Sequence, residues 1–313
     1  MTEFIKSLLA ISVLLFPIAS MLRVGLSFTI RQIIGPLRYP DRVFRAFVAN
    51  FILVPLLAVG ISRLLALDPP LAAGMALVGT AAGAPFLLKL AQVANADVGL
   101  SATLLVLLMP LTIISMPLVV PLVVADVSVS AIRIAVPLIL TLLLPLIIGL
   151  AVDSLLPRLA ARLRPIAGKT ASVALLILVA STLALNSPLF GDLLGTGAIT
   201  AAILLTAGGF GMGYLISSPG FSRRAVMGLG AGQRNIAAAL IVASQDFDDP
   251  KTLVMVVSFS VVDLIVLFAI ALILRRRSPP PSPSTREGRA TPPPEPGAGE
   301  SERSAPGDDS GQR

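Results

Sequence analysis

Three ionisable side chains stand inside long apolar runs of this chain: Lys89, Arg234 and Asp263. A Lys, Arg or Asp at the centre of a membrane-spanning helix costs about 2.5–3.5 kcal/mol on insertion scales, so such a residue marks a site by default. Amides accompany the two cations: Gln92 beside Lys89, and Gln233 and Asn235 flanking Arg234. Thr80, Thr112, Ser115 and Asn50 bring further polar groups into neighbouring runs. Intramembrane charges usually pair, so one reading makes Asp263 a structural ion pair with one of the cations, which does not exclude function. Two cations and one carboxylate leave a net positive site, which suits an anionic ligand. The substrate-binding set read from the sequence is therefore Lys89, Gln92, Gln233, Arg234, Asn235 and Asp263. Lys89 has a second reading, in which its long stem carries the ammonium to the inner surface.

Composition limits the other chemistries. Of 313 residues, 55% are hydrophobic and only 13% are charged. Soluble domains carry about 25% charged residues, so a water-soluble enzyme is excluded. There is no Cys and no His, which removes thiol chemistry, the commonest metal ligands and the usual proton relay. Proton coupling would fall to Asp263 or Lys89. An intramembrane enzyme would need an Asp-rich metal motif or a nucleophile–base pair. The sole acidic cluster, Asp246 with Asp248 and Asp249, precedes Pro250 and reads as a solvated turn. No P-loop is present, so ATP does not drive the protein. A cation–proton antiporter stays as the alternative, and it needs membrane-embedded carboxylates, of which Asp263 is the one deep example. No cofactor and no nucleic-acid partner are expected; the partners are a small organic anion and the bilayer.

The elements that position these residues follow from hydropathy. A hydrocarbon core of about 30 Å takes roughly 20 apolar residues per helix. Nine crossings result, near 4–28, 43–66, 70–94, 99–124, 131–153, 166–186, 192–216, 224–244 and 252–275. Thirteen basic residues fall on one side, from Arg31, Arg38, Arg42 and Arg45 to Arg275, Arg276 and Arg277; four fall on the other, Lys6, Arg63, Arg133 and Lys251. The Lys/Arg-rich side is cytoplasmic, which puts the N-terminus outside and the C-terminus inside the cell membrane. Residues 278–313 carry 4 Arg against 6 Asp/Glu and 9 Pro with no apolar period, and read as a disordered cytoplasmic tail. The expected fold is all-α and polytopic, over residues 1–277.

Two crossings are interrupted. The third contains GTAAGAP, ending in Gly83, Ala84 and Pro85; the eighth contains GLGAGQRN, with Gly230 and Gly232. Superposing Gly83 on Gly232 also matches Val93 with Val242, Ala94 with Ala243 and Asp97 with Asp246. The two segments lie five crossings apart and so run in opposite directions. This is the pattern of an inverted-topology repeat, with halves of about 4–124 and 166–275 joined by the crossing at 131–153. Unwound backbone in lipid leaves unpaired N–H and C=O groups, so it persists where it lines a cavity or binds something.

The segments GLGAGQRNIAAAL and GAPFLLKLAQVANADVGLSATLL, within a nine-crossing N-out topology, resemble the bile acid:sodium symporter family over roughly residues 4–275. The Gly-x-Gln-Arg-Asn-x-Ala run is the most specific part. Ten-helix members carry one more helix at the start, which this chain would lack. The resemblance implies a panel domain moving against a core domain, with the two broken helices crossing near the midplane and substrate bound beside them. It also implies two sodium ions and organic anions such as bile acids. The sequence departs from that pattern. The family's sodium-binding glutamate aligns with Gly230, the glutamine before Asn235 aligns with Arg234, and a serine–asparagine pair aligns with Leu87 and Leu88. If sodium is bound, Asn235 and Thr112 are the ligands that remain. The alternative expectation is that Arg234 and Lys89 stand where relatives hold sodium, and lend fixed positive charge to an anionic substrate.

Overall fold

The computed structural model describes residues 2–29, 40–124, 131–193 and 195–278. The loop cations Arg31 and Arg38 and the tail from 279 onward lie outside the described residues. The described chain is helical, with no strand and one isolated antiparallel bridge between Ala82 and Arg234.

Eleven helices follow in order. They are α1 (Thr2–Gly25), α2 (Pro40–Leu64), α3 (Pro69–Thr80), α4 (Leu87–Val93), α5 (Val98–Val123), α6 (Ala131–Leu155), α7 (Pro157–Leu193), α8 (Ala198–Ile216), α9 (Phe221–Gly232), α10 (Ile236–Asp246) and α11 (Pro250–Arg277). Seven of them, all but α3, α4, α9 and α10, are long and apolar enough to cross a membrane. Large apolar side chains remain outside the fold, among them Leu64, Leu122, Leu155 and Leu215, each more than 75% exposed. Such a surface is stable in lipid and not in water. The protein is therefore a multi-pass membrane protein.

The expected third crossing, 70–94, is split into α3 and α4, and the expected eighth, 224–244, into α9 and α10. The bounds around the sixth and seventh crossings differ from expectation: α7 ends at Leu193 instead of 186, and α8 starts at Ala198 instead of 192. The helix anticipated at 166–186 starts at Pro157 and runs 37 residues. Proline is favoured in the first helical turn, and the Arg-rich stretch after it continues as helix instead of forming a loop. Arg164 from this stretch donates to Leu26 O at 2.8 Å and to Asp153 at 3.2 Å, which ties the end of α1 to α7.

Helices α1, α6 and α7 pack on one another. Gly25 of α1 and Gly149 of α6 face each other so closely that a Cβ on either would meet backbone of the other within 3 Å. Small residues at such contacts let helices associate in lipid, where no hydrophobic effect drives them together. The remaining helices surround the two interrupted ones, with α3 against α2, α5 and α11, and α9 against α8. The first half of α6 touches both α5 and α10, whereas its second half, Leu144–Leu155, packs on α1 and α7.

Two helices contain a π-turn, Val48–Leu53 in α2 and Ile139–Leu143 in α6. Such turns shift the hydrogen-bond ladder and free a carbonyl, and they recur at functional sites. The first of them holds Asn50.

Candidate functional site

The site forms where the two interruptions meet. Helix α3 ends at Thr80 and the chain resumes as helix at Leu87; α9 ends at Gly232 and resumes at Ile236. The segments between are extended and antiparallel. Asn235 N donates to Ala81 O at 2.8 Å. Thr112 of α5 completes the pairing: its hydroxyl donates to Ala82 O at 2.8 Å and accepts from Ala82 N at 3.0 Å. A side chain thus replaces the ladder bonds that Ala82 would make in a continuous helix.

Gly83 is part of this joint. Its φ is +75°, and a Cβ would lie 2.8 Å from Leu108 Cβ and 2.9 Å from Met109 N. Pro85, half-buried in the next turn, cannot donate a backbone bond, so it belongs in a segment that is not helical. Asn235 caps α10, with Oδ1 accepting from Ala238 N at 3.2 Å. Gln233 is 5% exposed, and its Oε1 is buried without a hydrogen-bond partner.

Arg234 is the largest fully buried side chain, at 1% exposure. A guanidinium has five N–H donors. Nε donates to Val78 O at 2.9 Å; Nη2 donates to Gly79 O at 2.6 Å and Asn50 O at 3.4 Å; Nη1 donates to Asn50 Oδ1 and Ala231 O, both at 3.3 Å. All five donors are engaged. The acceptors come from the C-terminal ends of α3 and α9 and from the π-turn of α2. Helix C-termini carry partial negative charge and unpaired carbonyls, which a cation satisfies.

Asp263 lies on α11, 5% exposed, and accepts from Thr206 Oγ1 of α8 at 3.1 Å. Among the described residues no cation comes within ion-pair distance of it; Arg234 acts on it through the interior. The expected direct pairing of Asp263 with a cation is thus a through-space one. Thr206 carried no signal in the sequence, since a threonine in an apolar helix usually bonds its own backbone.

The structure brings Gln233, Arg234, Asn235, Gly83 and Thr112 together at the crossing, with Gly232 and Gly230 on the helix leading into it. Gly230 faces apolar groups: a Cβ there would lie 2.5 Å from Leu104 Cδ2 and 3.4 Å from Leu87 Cδ2. Lys89 and Gln92 lie elsewhere in character, both exposed on the seven-residue α4. Asn50, Val78 and Gly79 complete the site. Asn50 was visible as an amide in an apolar run, but the two carbonyls carry no sequence signal. The acidic cluster is also more structured than a solvated turn. Asp249 caps α11, whereas the Asp246 side chain is 3% exposed and faces Arg133 of α6 at 3.7 Å.

Comparison with known proteins matches residues 13–192 to the model of the Sodium Bile acid symporter family. A curated relative from Arabidopsis thaliana, named "Probable sodium/metabolite cotransporter BASS1, chloroplastic", is 27% identical over 268 residues, which is 83% of this chain and 66% of the relative. The chain thus spans just under two thirds of that relative's length. Both the family and the relative are transporters by description.

Proposed function

The chain belongs to the sodium bile acid symporter family, and on that premise we propose that it is a secondary transporter moving a small organic anion by alternating access. The observation that carries the proposal is the joint of two broken helices around a buried guanidinium, with the unpartnered amide oxygen of Gln233 beside it. Broken helices whose ends converge are the recurring architecture of substrate sites in secondary transporters. The N-termini of α4 and α10 offset the C-termini of α3 and α9 at the joint, and the full charge of Arg234 then leaves it net positive. Gln233 can turn its amide to offer either a donor or an acceptor to a ligand. A cation–proton exchanger would put carboxylates at the crossing; Asp263 instead bonds Thr206.

In this reading the chain crosses the membrane nine times, N-terminus outside, as two inverted halves. The helix lengths support it. Helices α3 and α9 are each 12 residues long, and α4 and α10 each begin just after their break. Helices α1, α6 and α7 form the panel, and the others form the core that holds the joint.

The test uses thermal unfolding of purified full-length protein followed by far-UV circular dichroism, because the chain has no Trp or Cys for fluorescence readouts. The panel of probes comprises short monocarboxylates, 2-oxoacids, sulfonates and bile salts, against matched neutral and cationic analogues. Ligands that bind only the folded state raise Tm. At least one anion is expected to raise it where its neutral analogue does not. Stabilisation by organic cations alone would overturn the reading.

Alternating access also predicts a response at the outer contact between α6 and α10. Burial pushes the Asp246 carboxyl up from its ordinary range, and Arg133 only partly opposes this. The closed contact therefore binds a proton more tightly than an opened, solvated one, so acid favours closure and rising pH favours opening. A single cysteine at buried Ala243 is expected to label faster from outside as pH rises through this titration. Normalised to the labelling of an exposed control cysteine, whose thiolate fraction also rises with pH, Asp246→Asn should flatten that dependence. A slope unchanged by Asp246→Asn would show that the contact does not gate access.

A further inference from the structure

We infer that Arg234 is a built-in cation: its guanidinium holds the place that a coupling sodium ion would take at the joint, and the transport cycle runs without sodium. The inference rests on the transporter reading above and specifies how its site is energised.

The first observation is the acceptor set. Sodium seeks hard oxygen ligands, and transporters supply them from unwound carbonyls and from the C-terminal ends of half-helices. The oxygens converging on Arg234 are of that kind: Val78 and Gly79 at the end of α3, Ala231 at the end of α9, and the carbonyl and side-chain oxygens of Asn50 in the π-turn. Three elements meet on one positive charge. That charge is covalently part of α9's continuation and cannot leave.

The second observation concerns the other oxygens near the joint. The Thr112 hydroxyl is committed to both the N–H and the carbonyl of Ala82, and Asn235 Oδ1 is committed to the cap of α10. Each oxygen keeps one lone pair beyond these bonds, and two such oxygens fall short of the several that sodium needs. The third is the space beside Gly230. Leu104 and Leu87 already reach into it, so it offers hydrocarbon and no ligand. The residues present therefore do not build a sodium shell at this joint: one group of oxygens is taken by a guanidinium, those of Thr112 and Asn235 are shared with the fold, the space beside Gly230 is apolar, and the unpartnered buried oxygen there, Gln233 Oε1, is a single ligand where sodium needs several. Lys89, exposed on α4, is not needed for this role.

A consequence separates this site from one that binds a mobile ion. A joint completed by sodium assembles and loosens with each cycle. A joint completed by Arg234 is always assembled, so substrate affinity does not depend on the sodium concentration.

The test compares unfolding of the full-length wild type and of Arg234→Ala in NaCl and in KCl of equal ionic strength. The wild-type curves are expected to coincide. The Arg234→Ala curve is expected at a lower Tm in KCl and to recover part of the loss in NaCl, because the vacated oxygens can then accept the ion. Direct binding of ²²Na⁺ to the wild type provides a readout that does not depend on the variant folding. Its expected result is no binding beyond what excess KCl displaces. Stoichiometric, sodium-specific binding to the wild type, or a sodium-specific rise in its Tm, would overturn the inference. So would an Arg234→Ala protein that folds and melts identically in the two salts. These readouts concern the cation alone, so they stand apart from the organic-anion screen, whose failure would instead sink the transporter reading.

Discussion

Arg234→Met is expected to destabilise the protein by about 3–5 kcal/mol, the largest loss of any substitution at the site. Methionine has a comparable length and is apolar, so the change removes the charge and the donors while keeping much of the volume. Each buried acceptor left unpaired costs about 1–3 kcal/mol. Five contacts are lost at once, to Val78, Gly79, Ala231 and both oxygens of Asn50. Relaxation of the joint and access of water recover part of that sum. Asp263 also loses the positive charge that acts on it through the interior. Arg234→Lys keeps the charge but has three donors on a flexible stem in place of a planar fork, so it should fall between the two. Chemical denaturation in detergent, followed by circular dichroism, measures the series. A loss below about 1 kcal/mol for Arg234→Met, the net worth of a typical single hydrogen bond, would mean that the guanidinium does not hold the joint.

Gly83→Ala is expected to cost about 2–5 kcal/mol, although it adds one methyl group. Two effects combine. A residue with a Cβ pays about 1–2 kcal/mol for the left-handed backbone that Gly83 adopts at φ +75°. Overpacking of a tight interior costs about 1–3 kcal/mol more. The methyl would press on Leu108 Cβ at 2.8 Å and on the Met109 backbone nitrogen at 2.9 Å, and backbone cannot step aside as a side-chain tip can. Gly60→Ala is the matched control. Gly60 sits within α2 with nothing within 4 Å of a built Cβ, so alanine should be neutral or stabilising there through its better helix propensity. Equal stability changes at the two positions would contradict the account of the joint.

Particular residues show how far the sequence could be read. The breaks were legible because glycine, proline and polar residues seldom cluster inside an apolar run unless the helix is interrupted there. Arg234 was legible for the same reason. Its partners were not, since every residue has a carbonyl and nothing in Val78 or Gly79 distinguishes theirs. The match of Gly83 with Gly232 illustrates a subtler limit. It sets the second half-helices in register, with starts at Leu87 and Ile236, but the first half-helices end at Thr80 and Gly232. The first break, 81–86, is three residues longer than the second, 233–235, which a single ungapped superposition cannot express. Lys89 groups with Arg234 by sequence because both lie in interrupted crossings. The break leaves Lys89 on the exposed face of a short helix, and hydropathy averaged over a 25-residue run conceals that. Asp246 belongs to a solvated turn by composition, yet only tertiary packing against α6 decides that its side chain is covered.

The central claim is that the positive charge at the joint belongs to the protein and does not travel with the substrate. The sign of the charge moved per cycle tests this most directly. Proteoliposomes on a solid-supported membrane would be exposed to a jump of whichever organic anion stabilises the protein, in NaCl and then in KCl. The account predicts a current of the anion's own sign, equal in the two salts. A current of opposite sign that appears only with sodium would contradict it.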